Sequence, residues 1–166
     1  MKAIVAVNEN WGIGCNNKLL YSIPGDMKYF RATTMNKVVV MGRSTFESLP
    51  GSQPLKNRIN IILSRDETLK IDSAIVCNST EQLLDTIKAY DSNDVFLIGG
   101  QEIYSRLLEF CSEAYITKIK DNKGADKFFP NVDLMDNWVI EETSEEKIDN
   151  DICYRFCKYK NNNFSG

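Results

Sequence analysis

VVVMGRSTFESLP, residues 38–50, and VFLIGGQEIY, residues 95–104, carry the same plan twice. In each, a continuous apolar run meets glycine and then a helix-compatible segment, so each reads as strand, glycine turn and helix; Pro50 supplies a helix stop in the first. Apolar runs without polar alternation suit strands covered on both faces. Residues 4–7 (IVAV) and 58–65 (RINIILSR) have that character, and residues 75–77 form a short strand followed by a helix over 79–87 with Ser79 as its N-cap. Further on, residues 115–119 alternate, and 138–142 and 153–159 read as paired strands near an edge. Repeated β-α units followed by antiparallel strands predict an α/β fold, with a central, mixed but mainly parallel sheet flanked by helices. The 166 residues suit a single domain, 1–166, large enough to bury about 70% of the surface of its unfolded chain.

Composition excludes several kinds of chemistry. There is no histidine, which removes Ser-His and Cys-His catalysis, and the five cysteines at 15, 77, 111, 153 and 157 are odd in number and scattered. A disulfide framework, a zinc cluster and any other metal site are therefore not expected; Cys153 and Cys157 read as small packing residues on one strand face. A net charge of −3 gives no general attraction to nucleic acid or an anionic membrane. Met1 leads directly into a strand-length apolar run, without the longer apolar core of a signal peptide, so a cytoplasmic, monomeric protein is expected. Lysine and asparagine in residues 160–166 suggest a frayed tail.

Ligands of open α/β sheets collect at the carboxyl ends of the strands. That rule gathers residues 6–8, 42–45, 64–65 and 99–104 on one rim. Glycines and hydroxyls there, together with Arg43 and Arg65, suit an extended ligand with phosphates at two separated positions, such as NADPH. Simple capping of a helix by Ser44 or Thr45 is the competing reading. The usual dinucleotide fingerprint is missing, because Gly12-Ile13-Gly14 is followed by Asn17 where glycine is required, and no Walker A motif exists.

One acid stands apart. In WGIGCNNKLLYSIPGDMKYFR, residues 11–31, Pro24 marks the first turn of a helix that sets Asp26 on a face with Met27 and Phe30. The helix N-terminus favours the ionised form by about 0.3–1 kcal/mol, whereas desolvation beside Leu20, Met27 and Phe30 opposes it more strongly if the side chain lines a pocket. Asp26 is thus either a sheltered proton donor or a residue that complements the helix dipole. The polar, glycine-containing residues before it read as a long loop, either a flap over the acid or a surface crossover. With no nucleophile or metal of its own, such a chain suits hydride transfer from a nicotinamide assisted by one carboxyl.

In this order, Ile4-Val5-Ala6, Gly12-Ile13-Gly14, Ile23-Pro24-Gly25-Asp26, Phe30, the 40–48 and 58–64 runs, the 98–104 run and residues 126–130 resemble the dihydrofolate reductase family over almost the whole chain. The resemblance implies that family's fold and NADPH-dependent reduction of 7,8-dihydrofolate, with dihydrofolate and antifolate inhibitors as small-molecule partners. It implies that Asp26 holds the 2-amino and N3 side of the pterin and promotes protonation of N5, with Thr117 supporting it. Ile4, Val5, Met27, Phe30, Leu49, Ile98 and Tyr104 would complete the substrate cleft, and Arg58 would fork onto the glutamate carboxylate. The cofactor would lie along Gly42, Arg43, Ser44, Thr45, Leu63, Ser64 and Arg65, and along Ile98, Gly99, Gly100, Gln101, Glu102, Ile103 and Tyr104, with Ala6, Ile13 and Asn17 at the nicotinamide and ribose. In the family Gly99 and Gly100 are joined by a cis bond. Tyr21, Leu20 and Phe46 depart from the tryptophan, proline and tryptophan frequent there, and Glu102 adds a negative charge on the adenosine side. A same-fold reductase of another heterocycle, such as a riboflavin-pathway pyrimidine, lacks a need for both Asp26 and Arg58, and a non-catalytic nucleotide- or pterin-binding module lacks a need for Asp26.

Overall fold

A computed structural model of the chain describes residues 1–164. Strand β1 (Lys2–Val7) is followed by β2 (Gly12–Cys15) and β3 (Lys18–Leu19), then helix α1 (Pro24–Thr34), β4 (Val38–Gly42), α2 (Arg43–Ser48), β5 (Ile59–Leu63) and β6 (Ala74–Cys77). Helix α3 (Thr80–Ile87), β7 (Val95–Gly99), α4 (Gln101–Leu107), β8 (Glu113–Ile119), β9 (Lys127–Phe128), β10 (Trp138–Thr143), β11 (Lys147–Asp149) and β12 (Ile152–Asn161) complete the chain.

The large sheet runs β10-β12-β8-β1-β7-β4-β5-β6. From β8 to β6 every neighbouring pair is parallel, while β12 runs antiparallel to β8 and β10, as the apolar runs and alternating C-terminal segment predict. Parallel strands are buried on both faces, and the pattern of side chains shows it. Val38, Val40, Leu97, Ala3 and Val7 join Leu83 of α3 and Ile103, Tyr104 and Leu107 of α4 in one core. Val39, Met41 and Ile62 point the other way, onto Phe46 of α2, and Ile119 and Tyr154 meet Ile23 at the start of α1. The sheet thus separates a face covered by α3 and α4 from a face covered by α1 and α2. Ser79 caps α3 as expected, its Oγ accepting from the Gln82 N–H at 3.1 Å.

Two expectations fail. The segment before α1 is more than a loop: β2 pairs with β3 and β9 in a separate three-stranded sheet. Asn16 and Asn17 turn the β2–β3 hairpin with φ of 52° and 60°, a left-handed geometry that asparagine tolerates. Trp11 packs its ring 6.3 Å from Phe129, which in turn meets Tyr104 edge-on at 4.8 Å, so the small sheet is fastened to the core by aromatic contact. Nor is the C-terminus frayed at Lys160 and Asn161. β12 extends through Asn161, which is buried and donates from Nδ2 to the Cys111 carbonyl at 3.0 Å while accepting from Asn137 Nδ2 at 2.8 Å. A terminal strand between two partners is ordered by its ladder whatever its composition; residues 165–166 lie outside the described residues.

Leu97 is fully buried at the middle of β7, between β1 and β4. Leu97→Ala is expected to lower unfolding free energy by about 2–5 kcal/mol, the usual cost of a cavity of that size, measurable by denaturant titration with an unchanged m-value.

Candidate active site

Asp26 lies in the first turn of α1, after Pro24 and Gly25. Pro24 takes the first helical position, where its missing N–H is not needed. The hydroxyl of Thr117, buried on β8, donates to Asp26 Oδ1 at 2.6 Å, joining helix to sheet across 91 residues of sequence. Burial raises the carboxyl above its ordinary pKa of 3.8, and the Thr117 hydrogen bond opposes that rise by favouring the ionised form. Desolvation outweighs the Thr117 hydrogen bond, so the carboxyl holds its proton above the ordinary range. Met27 is 54% exposed and Phe30 half-buried on the same helix. On the sheet side Ile4 is buried, and Leu49 and Ile98 pack against the Val39, Met41, Phe46 and Ile62 cluster. Val5 turns its side chain into the opposite core, as strand alternation requires, leaving its main chain for the cleft.

Arg58 stands just before β5 and reaches the far end of α1. Its Nη1 donates to Thr34 Oγ1 at 3.2 Å and its Nε to the Lys56 carbonyl at 2.9 Å, which fixes the guanidinium plane. Burial, and secondarily the nearby Arg31, hold its pKa below the ordinary value. Among the described residues neither Arg31 nor Arg58 has a carboxylate partner, which leaves two neighbouring cations able to take an anion.

At the strand ends, the backbones of two crossover turns approach each other closely. A Cβ on Gly42 would stand 2.8 Å from Ile103 Cγ1, and one on Gly100 would stand 3.1 Å from Thr45 Oγ1. Gly99, at φ 138°, is joined to Gly100 by a cis peptide bond, as the resemblance implies. Gly42 occupies the N-cap of α2 without a side-chain cap, so Ser44 and Thr45 do not serve as caps and their hydroxyls are available at this rim. Arg43 is held by Glu47 at 2.8 Å and by Asp66 at 3.1 Å. Asp66 in turn accepts from Thr68, and its N–H donates to Ser64 Oγ at 3.2 Å. Arg43 and the 64–66 turn therefore form one connected cluster after β4 and β5. Leu63 and Ser64 are buried there and Arg65 is exposed.

The remaining predicted residues divide by role. Tyr104 is buried with its hydroxyl donating to the Ile4 carbonyl at 2.7 Å, which ties α4 to β1. Gln101 uses its side-chain oxygen to accept from the Phe128 N–H at 2.7 Å, joining the start of α4 to β9. Glu102 pairs with Arg106 at 2.6 Å, so its negative charge on the rim is compensated. Ala6 belongs to the cluster around Ile23 and Ile119, Ile13 packs against the core of α4, and Asn17 is exposed at the hairpin turn. Tyr21, in the position where the family commonly has tryptophan, donates to Asp121 at 2.5 Å and receives from Asn8 Nδ2 at 3.4 Å. Asp126 accepts from the Asn16 N–H at 3.0 Å and so holds the hairpin tip. Asp126 enters the sequence reading only as the start of the 126–130 run, and Asp121 and Asp66 do not enter it; an acid next to Arg65 is a readable signal for Asp66, whereas Asp121 and Asp126 act across loops that only the fold brings together. Among the described residues no cluster of three or more histidine, cysteine or acidic side chains could hold a metal, and no cysteine is paired.

The chain that carries this glycine-walled rim and sheltered carboxyl matches the family model described as dihydrofolate reductase over residues 1–161. The chain belongs to the dihydrofolate reductase family. It is an oxidoreductase of that family. The Haemophilus influenzae dihydrofolate reductase is 35% identical over 146 residues, covering 88% of each chain. A dihydrofolate reductase from Enterococcus faecalis, complexed with NADP(H) and RAB-propyl, superposes with a TM-score of 0.87 at 29% identity, covering 98% of this chain and 96% of that one. The bifunctional dihydrofolate reductase-thymidylate synthase of Glycine max is 32% identical, and there the chain spans 33% of the relative's length.

For this member of the dihydrofolate reductase family, burial of Asp26 has a cost in stability whose sign is definite. The folded state holds the Asp26 proton more tightly than the unfolded state, so the carboxyl costs nothing below its ordinary pKa of 3.8 and disfavours folding increasingly as pH rises through its raised folded value. Asp26→Asn is therefore expected to stabilise the ligand-free protein near neutral pH, by about 1.4 kcal/mol for every pH unit separating the two values, and to give no gain below about pH 4. Urea unfolding of both proteins across that range reads the difference directly.

Proposed function

We propose that this chain catalyses NADPH-dependent reduction of 7,8-dihydrofolate to 5,6,7,8-tetrahydrofolate, with Asp26 as its one catalytic side chain. The observation that carries this assignment is the Asp26–Thr117 hydrogen bond: it holds a desolvated carboxyl by one oxygen and leaves the other for a ligand. A carboxylate with one free oxygen and a raised pKa suits the amino and ring N–H side of a pterin, and holds a proton more readily than a solvated acid. Ile4, Met27, Phe30, Leu49 and Ile98 would exclude water around the ring, Val5 would contribute its main chain, and Arg58 would bind the glutamate carboxylate at the far end.

The rim fits the coenzyme in chemical terms. Gly42, Gly99 and Gly100 expose backbone where side chains have no room, and Arg43, Ser44, Thr45, Ser64 and Arg65 supply donors for phosphate oxygens. NADPH, when bound, supplies the hydride. Asp26 promotes protonation of substrate N5, directly or through water, while Tyr104 fixes α4 against β1 beside the reacting ring. A monomeric, cytoplasmic enzyme acting on small molecules rather than nucleic acid or membranes is consistent with five unpaired cysteines and a net charge of −3.

Asp26→Asn is expected to keep NADPH affinity and to lose about 10²–10⁴-fold in turnover near neutral pH, recovering partly as solvent acidity supplies the proton. Steady-state NADPH oxidation across pH tests it; unchanged kcat would reduce Asp26 to a structural residue. Removal of the guanidinium in Arg58→Leu should raise KM for dihydrofolate by roughly 10²-fold, the value of a lost charge-assisted pair, with the dissociation constant of NADPH unaltered. Fluorescence titration of both ligands separates these effects, and equal weakening of the two would refute the assignment of Arg58.

A further inference from the structure

The start of α1 is held from outside the helix. Ile23 occupies its N-cap in an extended conformation and offers no side-chain acceptor, and Pro24 has no N–H. The next donor, the Gly25 N–H, is taken by Asp149 Oδ2 at 2.7 Å, from the end of β11 and 124 residues away in sequence. The same oxygen accepts from the Tyr154 hydroxyl at 2.9 Å. Tyr154 is 4% exposed and packed against Ile23 and Ile119, so its hydroxyl is not free to turn to bulk water. Residue 25 has no room for a side chain, because a Cβ there would stand 2.5 Å from Asp149 Oδ2 and overlap the Tyr154 hydroxyl. The glycine, the acid and the phenol are thus fitted to one another, and the residue immediately after the glycine is Asp26.

We propose that Asp149 is a positioning residue for Asp26, anchoring the first turn of α1 through the Gly25 N–H so that the catalytic carboxyl stays seated on Thr117. Asp26 is then fixed twice, by its side chain on β8 and by its preceding backbone on the β11–β12 hairpin. Loss of the second anchor lets the helix start move, and displacements of about 1 Å at a reacting group cost on the order of 10²-fold in rate. It also admits water to Asp26. Since burial is the largest cause of the raised Asp26 pKa, hydration moves that value down. The other titratable groups facing Asp26 are Tyr29 on α1, Tyr104 on α4 and Tyr154 on β12, and burial pushes all three phenols up, Tyr154 to about 12. An alkaline limb in the activity profile that moves to lower pH is therefore assignable to Asp26.

The inference rests on the function proposed above, and its test keeps the two apart. Wild type, Asp149→Ala, Asp149→Asn and Tyr154→Phe are compared for kcat, for KM of dihydrofolate, for the dissociation constant of NADPH and for the pH dependence of kcat/KM. Asp149→Ala should lower kcat by roughly tenfold to a hundredfold and shift the alkaline limb to lower pH, with NADPH binding unchanged. Asp149→Asn retains an oxygen acceptor for the Gly25 N–H and should restore most of the rate. Tyr154→Phe leaves the anchor but frees its carboxylate, and should show a smaller shift in the same direction; it carries the test if Asp149→Ala does not fold. An Asp149→Ala enzyme with the wild-type pH profile and kcat would overturn the proposal, as would an Asp149→Asn enzyme no better than Asp149→Ala. A wild-type chain that does not oxidise NADPH with dihydrofolate would overturn the proposed function instead.

Discussion

A carboxyl that water would hold ionised is kept out of water by the contact between α1 and β8, and the rest of the site depends on that placement. Thr117 offers Asp26 a single hydrogen bond, enough to orient it but too little to offset desolvation. The balance matters chemically. More donors would pin the carboxyl in its ionised form, whereas none would leave a buried acid with no defined direction. Its cost falls on folding, and the extensive parallel core beneath it can bear that cost because it does not depend on Asp26 for packing.

Around that acid the fold solves a second problem, the close approach of two backbones. Strands β4 and β7 are neighbours and parallel, so the turns after them open on the same edge. Gly42 and Gly100 let α2 and α4 begin almost in contact, with Ile103 and Thr45 filling what side chains would otherwise occupy. Arg43 then turns back to Asp66, which binds the turn after β5 into the same edge. This rim is built by the meeting of crossover turns and does without the glycine fingerprint of a dinucleotide-binding βαβ unit.

Two hairpins, one in the small sheet and one belonging to the large sheet, act as fasteners. β2 and β3 are joined to β9, to Asp126 and, through Tyr21, to Asp121, so the segment in front of Asp26 is tied at both ends to the stretch that follows β8. On the opposite side the β11–β12 hairpin brings Asp149 and Tyr154 to the first turn of α1. Tyr21 adds to the first fastening, its hydroxyl donating to Asp121 while its ring stays part-buried.

The sequence by itself determined the class of fold, the order of the strands and the place of Asp26 in the first turn of a helix begun by Pro24. These depend on local properties: runs of β-branched residues, glycines at strand ends, and a proline two residues before Asp26, all of which act over a few residues of chain. Tertiary structure decided the rest. That Thr117 meets Asp26, that Arg43 and Ser64 share Asp66, that β2 and β3 join β9 in a small sheet, and that Asn161 is buried all follow from pairings between segments distant in sequence. No local pattern encodes them, because a hydrogen bond spanning 91 or 124 residues is specified by the packing of the whole sheet that brings its ends together.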